Sequence, residues 1–575
     1  MKKGVALFLF LLIGVSLVCA ANNEANHMKL LAVQELDGEY KGSEADLFLE
    51  LNDGSGRVFL ETFPLTKIDT QVSTRFAKEI ACSYFNLNCK KDDFIFTIKS
   101  GANIIGGPSA GGAIAVLATV SLLEIDYDEK VAITGTINSG GIIGPVGGVK
   151  EKLEAAAENS LEKVLIAKGS SMQKVGNNTT FDLIEYGREN LSLEVIEVAD
   201  LNEAVYYFTG KELKKNDVSI EVSESYQGIM QELMDVLCGR ASDLIDNLEL
   251  TVEESINLED KQKKSKLAAE QEDYYSAASF CFGANIQAKE LSYSKVDEDR
   301  LFVSLKVLEK KVSVLEENLK EKEMETISDL QTMMIVKERL NEVKEWIVKF
   351  SGEENKSYAL AYAEERYFSA LSWMSFFSME GKELIFDEDV LRDSCLKKIA
   401  ESEELYQYVD VLFGGYVDHV KKSVDGAKKS LQEEEYGLCL IKASQGKAEA
   451  NAFMSSIGLG EETIKGFLES KMISVKKVMA ENTAEGMFPI LGYSYYQYAN
   501  SLAEEDPRSA LLYLDYALEL SDLGIYFEEE KSFSFENSFD LNISNKEWIK
   551  LGEGVLIGLL LAWVIVLVRR LFKKK

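Results

Sequence analysis

Histidine is nearly missing from this chain: His27 and His419 are the only two in 575 residues. A Ser/His/Asp arrangement is therefore not expected. With no H-E-x-x-H and no paired C-x-x-C motif, a catalytic metal is not expected either. Proline is scarce as well. Only five occur and none lies between Pro145 and Pro489, which takes the strongest helix breaker out of more than three hundred residues and predicts long helices there. A P-loop is also lacking. Gly210-Lys211, Gly381-Lys382 and Gly446-Lys447 are each followed by Glu or Ala where Ser or Thr would hold a magnesium ion, so no ATP site and no other cofactor is expected. Basic residues are outnumbered 63 to 96, giving a net charge of −33. That charge repels phosphate backbones and excludes nucleic acid as a partner, and it fits a solvated, soluble surface.

Long apolar runs are confined to the two ends. Met1-Lys2-Lys3 followed by the run from Val5 to Ala20 reads as a signal peptide over residues 1–20, with small residues before Ala21. Gly554 to Val568 is uncharged and mostly aliphatic, and Arg569, Arg570 and Lys573 to Lys575 close it. The expectation is one C-terminal transmembrane helix at 551–571 and a basic cytoplasmic tail at 572–575. The protein would then contact the membrane through that helix, a single-pass protein of the cell membrane with its bulk outside the cytoplasm. Six cysteines remain beyond Cys19: Cys82, Cys89, Cys238, Cys281, Cys395 and Cys439. Their order points to three neighbouring pairs, although six cysteines allow fifteen connectivities.

Between the ends the texture changes once. Residues 28–213 are rich in glycine and alternate short β-branched runs with helical patterns, as in an α+β domain. Ala45 to Leu51 and Arg57 to Thr62, joined by Asn52-Asp53-Gly54-Ser55-Gly56, predict a β-hairpin. Helices are predicted over Gln71 to Phe85, Gly111 to Glu124, Val149 to Asn159 and Asn202 to Phe208. Strands are predicted over Asp93 to Lys99, Lys130 to Asn138 and Lys163 to Ala167. Residues 220–545 read as a large all-α region of helical hairpins, with a solenoid as one possible arrangement. Within it Leu301, Leu305, Leu308, Val312, Leu315 and Leu319 form a heptad seam, and Asp329 to Phe350 is a helix able to fold back on it.

Chemistry is concentrated in two glycine-rich blocks. Gly106-Gly107-Pro108-Ser109-Ala110-Gly111-Gly112 sits between a predicted strand and a predicted helix, where the helix start favours a developing oxyanion beside the Ser109 hydroxyl. Alone, such a turn is equally a phosphate cradle. Serine needs an activator, and a lysine desolvated toward neutrality is one. Gly144-Pro145-Val146-Gly147-Gly148-Val149-Lys150-Glu151-Lys152-Leu153 supplies two candidates at the head of a helix. If Val149, Leu153 and Ala156 face the core, Lys152 lies roughly 65° from that face and Lys150 roughly 90° on the other side, a slight preference only.

These blocks resemble the proteolytic domain of the Lon family. G-P-S-A-G at Gly107 to Gly111, Thr134-Gly135, and G-G-V-K-E-K-L at Gly147 to Leu153 stand in the family's order, with Ser109 and Lys152 43 residues apart. The resemblance covers about 30–210 and is to an archaeal-type, signal-bearing group. It implies an α+β Lon-type fold with Ser109 as nucleophile, Lys152 as general base and Thr134 positioning the lysine. Two departures stand out. Gly106 replaces the acidic residue that many Lon enzymes carry three positions before the serine, and the ATPase module is missing. The implied function is an ATP-independent serine endopeptidase with its catalytic domain outside the cytoplasm, cleaving unfolded or envelope polypeptides. The helical region would then be a gate, a scaffold or a homo-oligomerisation surface. The rival readings are a catalytically silent Lon-like envelope scaffold and, from the glycine-rich turn alone, a small-molecule kinase.

Overall fold

Alternation of apolar and polar residues builds the first sheet. In the computed structural model β1 (Asn26–Leu36), β2 (Glu39–Asp53), β3 (Val58–Phe63) and β4 (Asp92–Ser100) form a sheet of order β1-β2-β4-β3. Ala45, Leu47 and Leu49 of β2 and Phe94, Phe96 and Ile98 of β4 are buried on one face. The structure describes residues 25–36, 39–63, 65, 68–101, 107–175, 179–214, 220–415, 417–456 and 461–527, all within one compact unit.

The expected hairpin of Ala45–Leu51 with Arg57–Thr62 does not form. β4 lies between the two strands, antiparallel to β2 and parallel to β3. The Asp93 carboxylate accepts the backbone N–H groups of Ser55 (2.8 Å) and Arg57 (3.0 Å) and pairs with the Arg57 guanidinium at 2.6 Å. These bonds fasten the 52–57 turn over the start of β4. β2 pairs instead with β1, a strand that the sequence pattern did not mark.

Helix α1 (Ile68–Tyr84) runs between β3 and β4, and α2 (Gly111–Leu122) follows β4. Every residue of α2 from Gly111 to Ser121 is buried, as its all-round hydrophobicity demands, and it packs against β1, β2 and β5. A second, parallel sheet of order β11-β8-β5 joins β5 (Val131–Thr134), β8 (Lys163–Ala167) and β11 (Glu194–Val198). The strand expected over Lys130 to Asn138 is broken at Gly135, after which β6 (Thr136–Ile137) pairs with β7 (Ile143–Gly144). α3 (Val149–Glu158) and α4 (Leu201–Thr209) complete the layer, and β9 (Met172–Val175) pairs with β10 (Thr179–Asp182) in a small antiparallel ribbon.

Twelve further helices of the described residues follow: α5 (Glu224–Asp246), α6 (Val252–Glu270), α7 (Tyr274–Tyr293), α8 (Glu298–Lys320), α9 (Ile327–Lys349), α10 (Lys356–Trp373), α11 (Glu388–Phe413), α12 (Asp418–Gln432), α13 (Tyr436–Ser456), α14 (Glu461–Ala484), α15 (Ile490–Leu502) and α16 (Pro507–Ser521). All six residues of the heptad seam are buried along α8, which packs on α9 and α10. α13 is surrounded by α9, α11, α12 and α16 and is buried on every side. An open solenoid, whose repeats touch only their neighbours, would not enclose one helix in this way. Disulfides join Cys82 to Cys89, Cys238 to Cys281 and Cys395 to Cys439, so the bonded cysteines are neighbours in sequence order. The last two tie α5 to α7 and α11 to α13.

The membrane expectations are corrected here. No helix among the described residues is long and apolar enough to cross a membrane. The expected signal peptide at 1–20, transmembrane helix at 551–571 and tail at 572–575 lie outside the described residues. The C-terminal spanning helix, and the single-pass membrane location built on it, are accordingly withdrawn.

A buried ionic cluster joins the helices to the glycine-rich loops of the sheet region. Lys398 pairs with Glu519 at 2.6 Å, and Lys447 with Glu401 at 3.0 Å and with Glu519 at 3.3 Å. Tyr526 donates to Glu401 at 2.5 Å. From the sheet side the Ser139 hydroxyl donates to Glu519 at 3.0 Å, and the Gly140 N–H donates to Asp522. Burial alone would raise the Glu519 carboxyl, yet the two ammonium groups hold it below its usual range. Removing one partner would strand a charge in the interior. Lys398→Ala is thus expected to lower the unfolding free energy by about 3–5 kcal/mol, measured by urea denaturation. A loss under about 1 kcal/mol would show that the cluster is not a structural tie.

Candidate active site

Gly148 opens the site's geometry. It caps α3 in the left-handed conformation, φ +65°, and a β-carbon there would meet the Val33 side chain at 2.6 Å, so only glycine fits. This turn places Lys152 in the first turn of α3, its N–H bonded to the Gly148 carbonyl at 3.1 Å. The Lys152 side chain points inward and is 3% exposed. Its ammonium nitrogen donates to Thr134 Oγ1 at 3.0 Å, and Thr134, the last residue of β5, is 1% exposed.

Burial drives the Lys152 pKa down to about 7, with a small opposing pull from the charge on Glu151. Lys150 is placed differently. It is half-exposed, pairs with Glu154 at 3.1 Å and lies over the Tyr186 ring at 5.7 Å, and its bond to Glu154 raises its pKa. The two lysines that sequence geometry barely separated thus have opposite environments, one desolvated beside a hydroxyl and one paired with a carboxylate.

Ser109 sits in a short helical turn, Pro108–Ala110, immediately before α2. Its carbonyl accepts the Gly135 N–H at 3.2 Å, and the Gly112 N–H donates to the Gly135 carbonyl at 3.0 Å. Both polar groups of the residue after Thr134 are therefore held by the serine turn. Lys152 and Thr134 are in direct contact, and Ser109 joins them through the Gly135 backbone; among the described residues its hydroxyl is not bonded to the Lys152 amine. Such bonds often close only when a substrate is bound. Gly106 lies outside the described residues.

Residues 71–207 match the family model of the Lon protease (S16) C-terminal proteolytic domain. This segment is a Lon-type proteolytic domain. The chain is 32% identical over 120 residues to the archaeal Lon protease of Archaeoglobus fulgidus, covering 21% of this chain and 18% of that one. It is 37% identical over 114 residues to the archaeal Lon protease of Methanothermobacter thermautotrophicus, 17% and 18% respectively. Against the Lon protease of Dictyoglomus thermophilum it is 32% identical over 129 residues, 21% and 16%. The chain thus spans less than a fifth of the length of these curated relatives, and Ser109, Thr134 and Lys152 fall within the residues 71–207 matched by the family model.

Sequence reasoning missed what the helical region brings to the Lon-type domain. The Tyr408 hydroxyl of α11 accepts the Gly147 N–H at 2.9 Å, and Asn451 of α13 reaches Asn138 at 3.4 Å. Lys477 of α14 pairs with Asp200 at 2.5 Å. No motif marks these residues. The one available signal is the spacing of Lys398, Glu401, Leu405 and Tyr408, three or four residues apart, which makes them one face of α11. Among the described residues no group of three or more His, Cys, Asp or Glu is placed to hold a metal ion.

The sign of the pH dependence follows from Lys152. Its amine is uncharged above about pH 7, so any reaction using it as a base should gain about tenfold in kcat/KM per pH unit below 7 and level off above it. A profile flat down to pH 5, or rising only near pH 10, would remove Lys152 from that role. A lysine with a lowered pKa costs stability in full below the folded value, and the cost fades as pH climbs toward the unfolded value. Lys152→Met should therefore stabilise the fold at pH 7, by about 2 kcal/mol or more, in thermal or urea unfolding.

Proposed function

We propose that this chain is an ATP-independent serine endopeptidase acting on unfolded polypeptides. Ser109 is the nucleophile, Lys152 the general base and Thr134 the hydroxyl that positions the base. The observation that carries this reading is the buried Lys152 amine, uncharged near neutral pH and bonded to Thr134 at 3.0 Å.

Neutral Lys152 takes the proton of the Ser109 hydroxyl as its oxygen attacks a peptide carbonyl. The carbonyl oxygen becomes an oxyanion near the positive end of α2. Lys152, now an ammonium, gives its proton to the departing amine, which leaves an ester on Ser109. A water then attacks that ester with Lys152 again accepting a proton, and Ser109 is regenerated. Thr134 Oγ1 accepts a hydrogen bond from the amine and fixes the lysine rotamer. A more acidic neighbour would raise the lysine pKa, so a neutral hydroxyl suits a base that must be uncharged at pH 7. No P-loop accompanies the domain, so the energy for unfolding a substrate has to come from elsewhere, and chains already unfolded are the fitting substrates.

The test is cleavage of casein by the purified protein. Ser109→Ala and Lys152→Ala should each abolish it, Thr134→Ala should be intermediate, and Lys150→Ala should leave it largely intact, with no change on adding ATP. Near-normal turnover by Lys152→Ala would overturn the assignment of the base. Activity that ATP stimulates would overturn the claim of ATP independence.

A further inference from the structure

Helix α11 lies across the serine turn. Its face formed by Glu401, Leu405 and Tyr408 is turned toward the Lon-type domain, and the cavity between Pro108, Thr136 and Asn138 on one side and Glu401, Leu405 and Lys447 on the other holds about 20 Å³. That is room for about one water and not for a side chain. Tyr408 does more than fill space. Its hydroxyl oxygen accepts the Gly147 N–H at 2.9 Å, five residues before Lys152. Its ring lies 3.5 Å from where a β-carbon on Gly107 would stand, two residues before Ser109. One side chain thus bridges the two glycine-rich loops that carry the serine and the lysine.

An extended polypeptide approaching these two loops presents carbonyl oxygens to backbone N–H groups and lays its main chain over glycines that have no side chain to obstruct it. The phenol of Tyr408 already does both. We propose that Tyr408 controls polypeptide access to the Ser109 turn by holding the Gly147 N–H in place of a substrate carbonyl, so that a chain binds there only by displacing it. The inference rests on the peptidase reading for the identity of the incoming ligand, an unfolded polypeptide.

The fold allows this displacement without opening the core. The N-terminal half of α11 is fixed by the Cys395–Cys439 disulfide and by Lys398 in the buried ionic cluster. Beyond it, Leu405 and Val409 belong to a separate small apolar cluster with Val417, Val420, Val424 and Met454. The proposal requires only that the Tyr408 hydroxyl give up the Gly147 N–H, with Leu405 and Val409 left packed in that cluster. A segment able to compete must offer a free main-chain carbonyl in extended form, which a folded protein does not.

The experiment separates this inference from the peptidase reading by measuring binding without cleavage. Fluorescein-labelled β-casein is titrated by anisotropy into full-length Ser109→Ala and into Ser109→Ala/Tyr408→Phe. Phenylalanine keeps the ring and removes the hydroxyl, so the double variant should bind about 3- to 10-fold more tightly, the effect of one competing hydrogen bond. With Ser109 restored, Tyr408→Phe should raise kcat/KM by the same factor. Equal or weaker binding by the double variant overturns the role of Tyr408, whatever the enzyme cleaves. Tighter binding with no cleavage by any Ser109 protein sustains Tyr408 and overturns the peptidase reading instead.

Discussion

Desolvation of one amine is the constraint around which the rest of the Lon-type domain is arranged. Moving the Lys152 pKa from 10.5 to about 7 corresponds to about 5 kcal/mol, a sizeable part of the stability of an ordinary domain. The fold bears that cost by placing the lysine in the first turn of α3 after a glycine that alone can adopt the left-handed cap, and by giving it Thr134 as partner. A carboxylate at the position of Thr134 would have satisfied the amine better and left it charged. The hydroxyl stabilises the amine less and leaves it able to lose its proton near pH 7.

Close backbone approach is the second theme. Gly112 and Gly135 bring the start of α2 against the end of β5, so the serine turn and the threonine strand share a peptide group. At the serine turn the helical region supplies neighbouring side chains, Tyr408 beside Gly107 and Gly147 and Leu405 facing Pro108 across a small cavity. Its contacts with the sheet region are of two kinds. The Lys398–Glu519–Ser139 cluster is fully buried and ionic, hard to break because each charge depends on the others. The Tyr408–Gly147 bond is a single neutral hydrogen bond at the edge of a small apolar cluster. A firm anchor thus stands beside a single weak contact on the same helix.

Much of this was legible in the sequence where the signal was local. The helices from Gln71, Gly111, Val149 and Asn202, the strand at Lys163 to Ala167 and the heptad seam of α8 all stand as periodicity indicated, because each is decided by which residues of one segment can be buried. Ser109, Thr134 and Lys152 were named through the resemblance of the glycine blocks to the Lon family, and the structure brings Lys152 to Thr134 and links Ser109 to them through Gly135. Partner choice was not legible. The turn after β2 was recognised, but nothing near it reveals that Asp93, some forty residues on, draws β4 into the gap. Helix geometry barely separated Lys150 from Lys152, the family resemblance chose Lys152, and the three-dimensional surroundings set them apart, a carboxylate for one and a buried hydroxyl for the other. Tyr408 was beyond reach, because an aromatic on an amphipathic helix looks like core whether it meets leucine or the backbone of a catalytic loop.

The central claim is that the Lys152 amine loses its proton near neutral pH, and it can be measured without any assay of activity. In protein labelled with 13C at lysine Cε, the Lys152 resonance, assigned by its loss in Lys152→Met, can be followed from pH 5 to 11. The account predicts a titration centred near 7, far below the other lysines. A midpoint at or above about 10, the ordinary lysine range, would contradict it and leave Ser109 without its base.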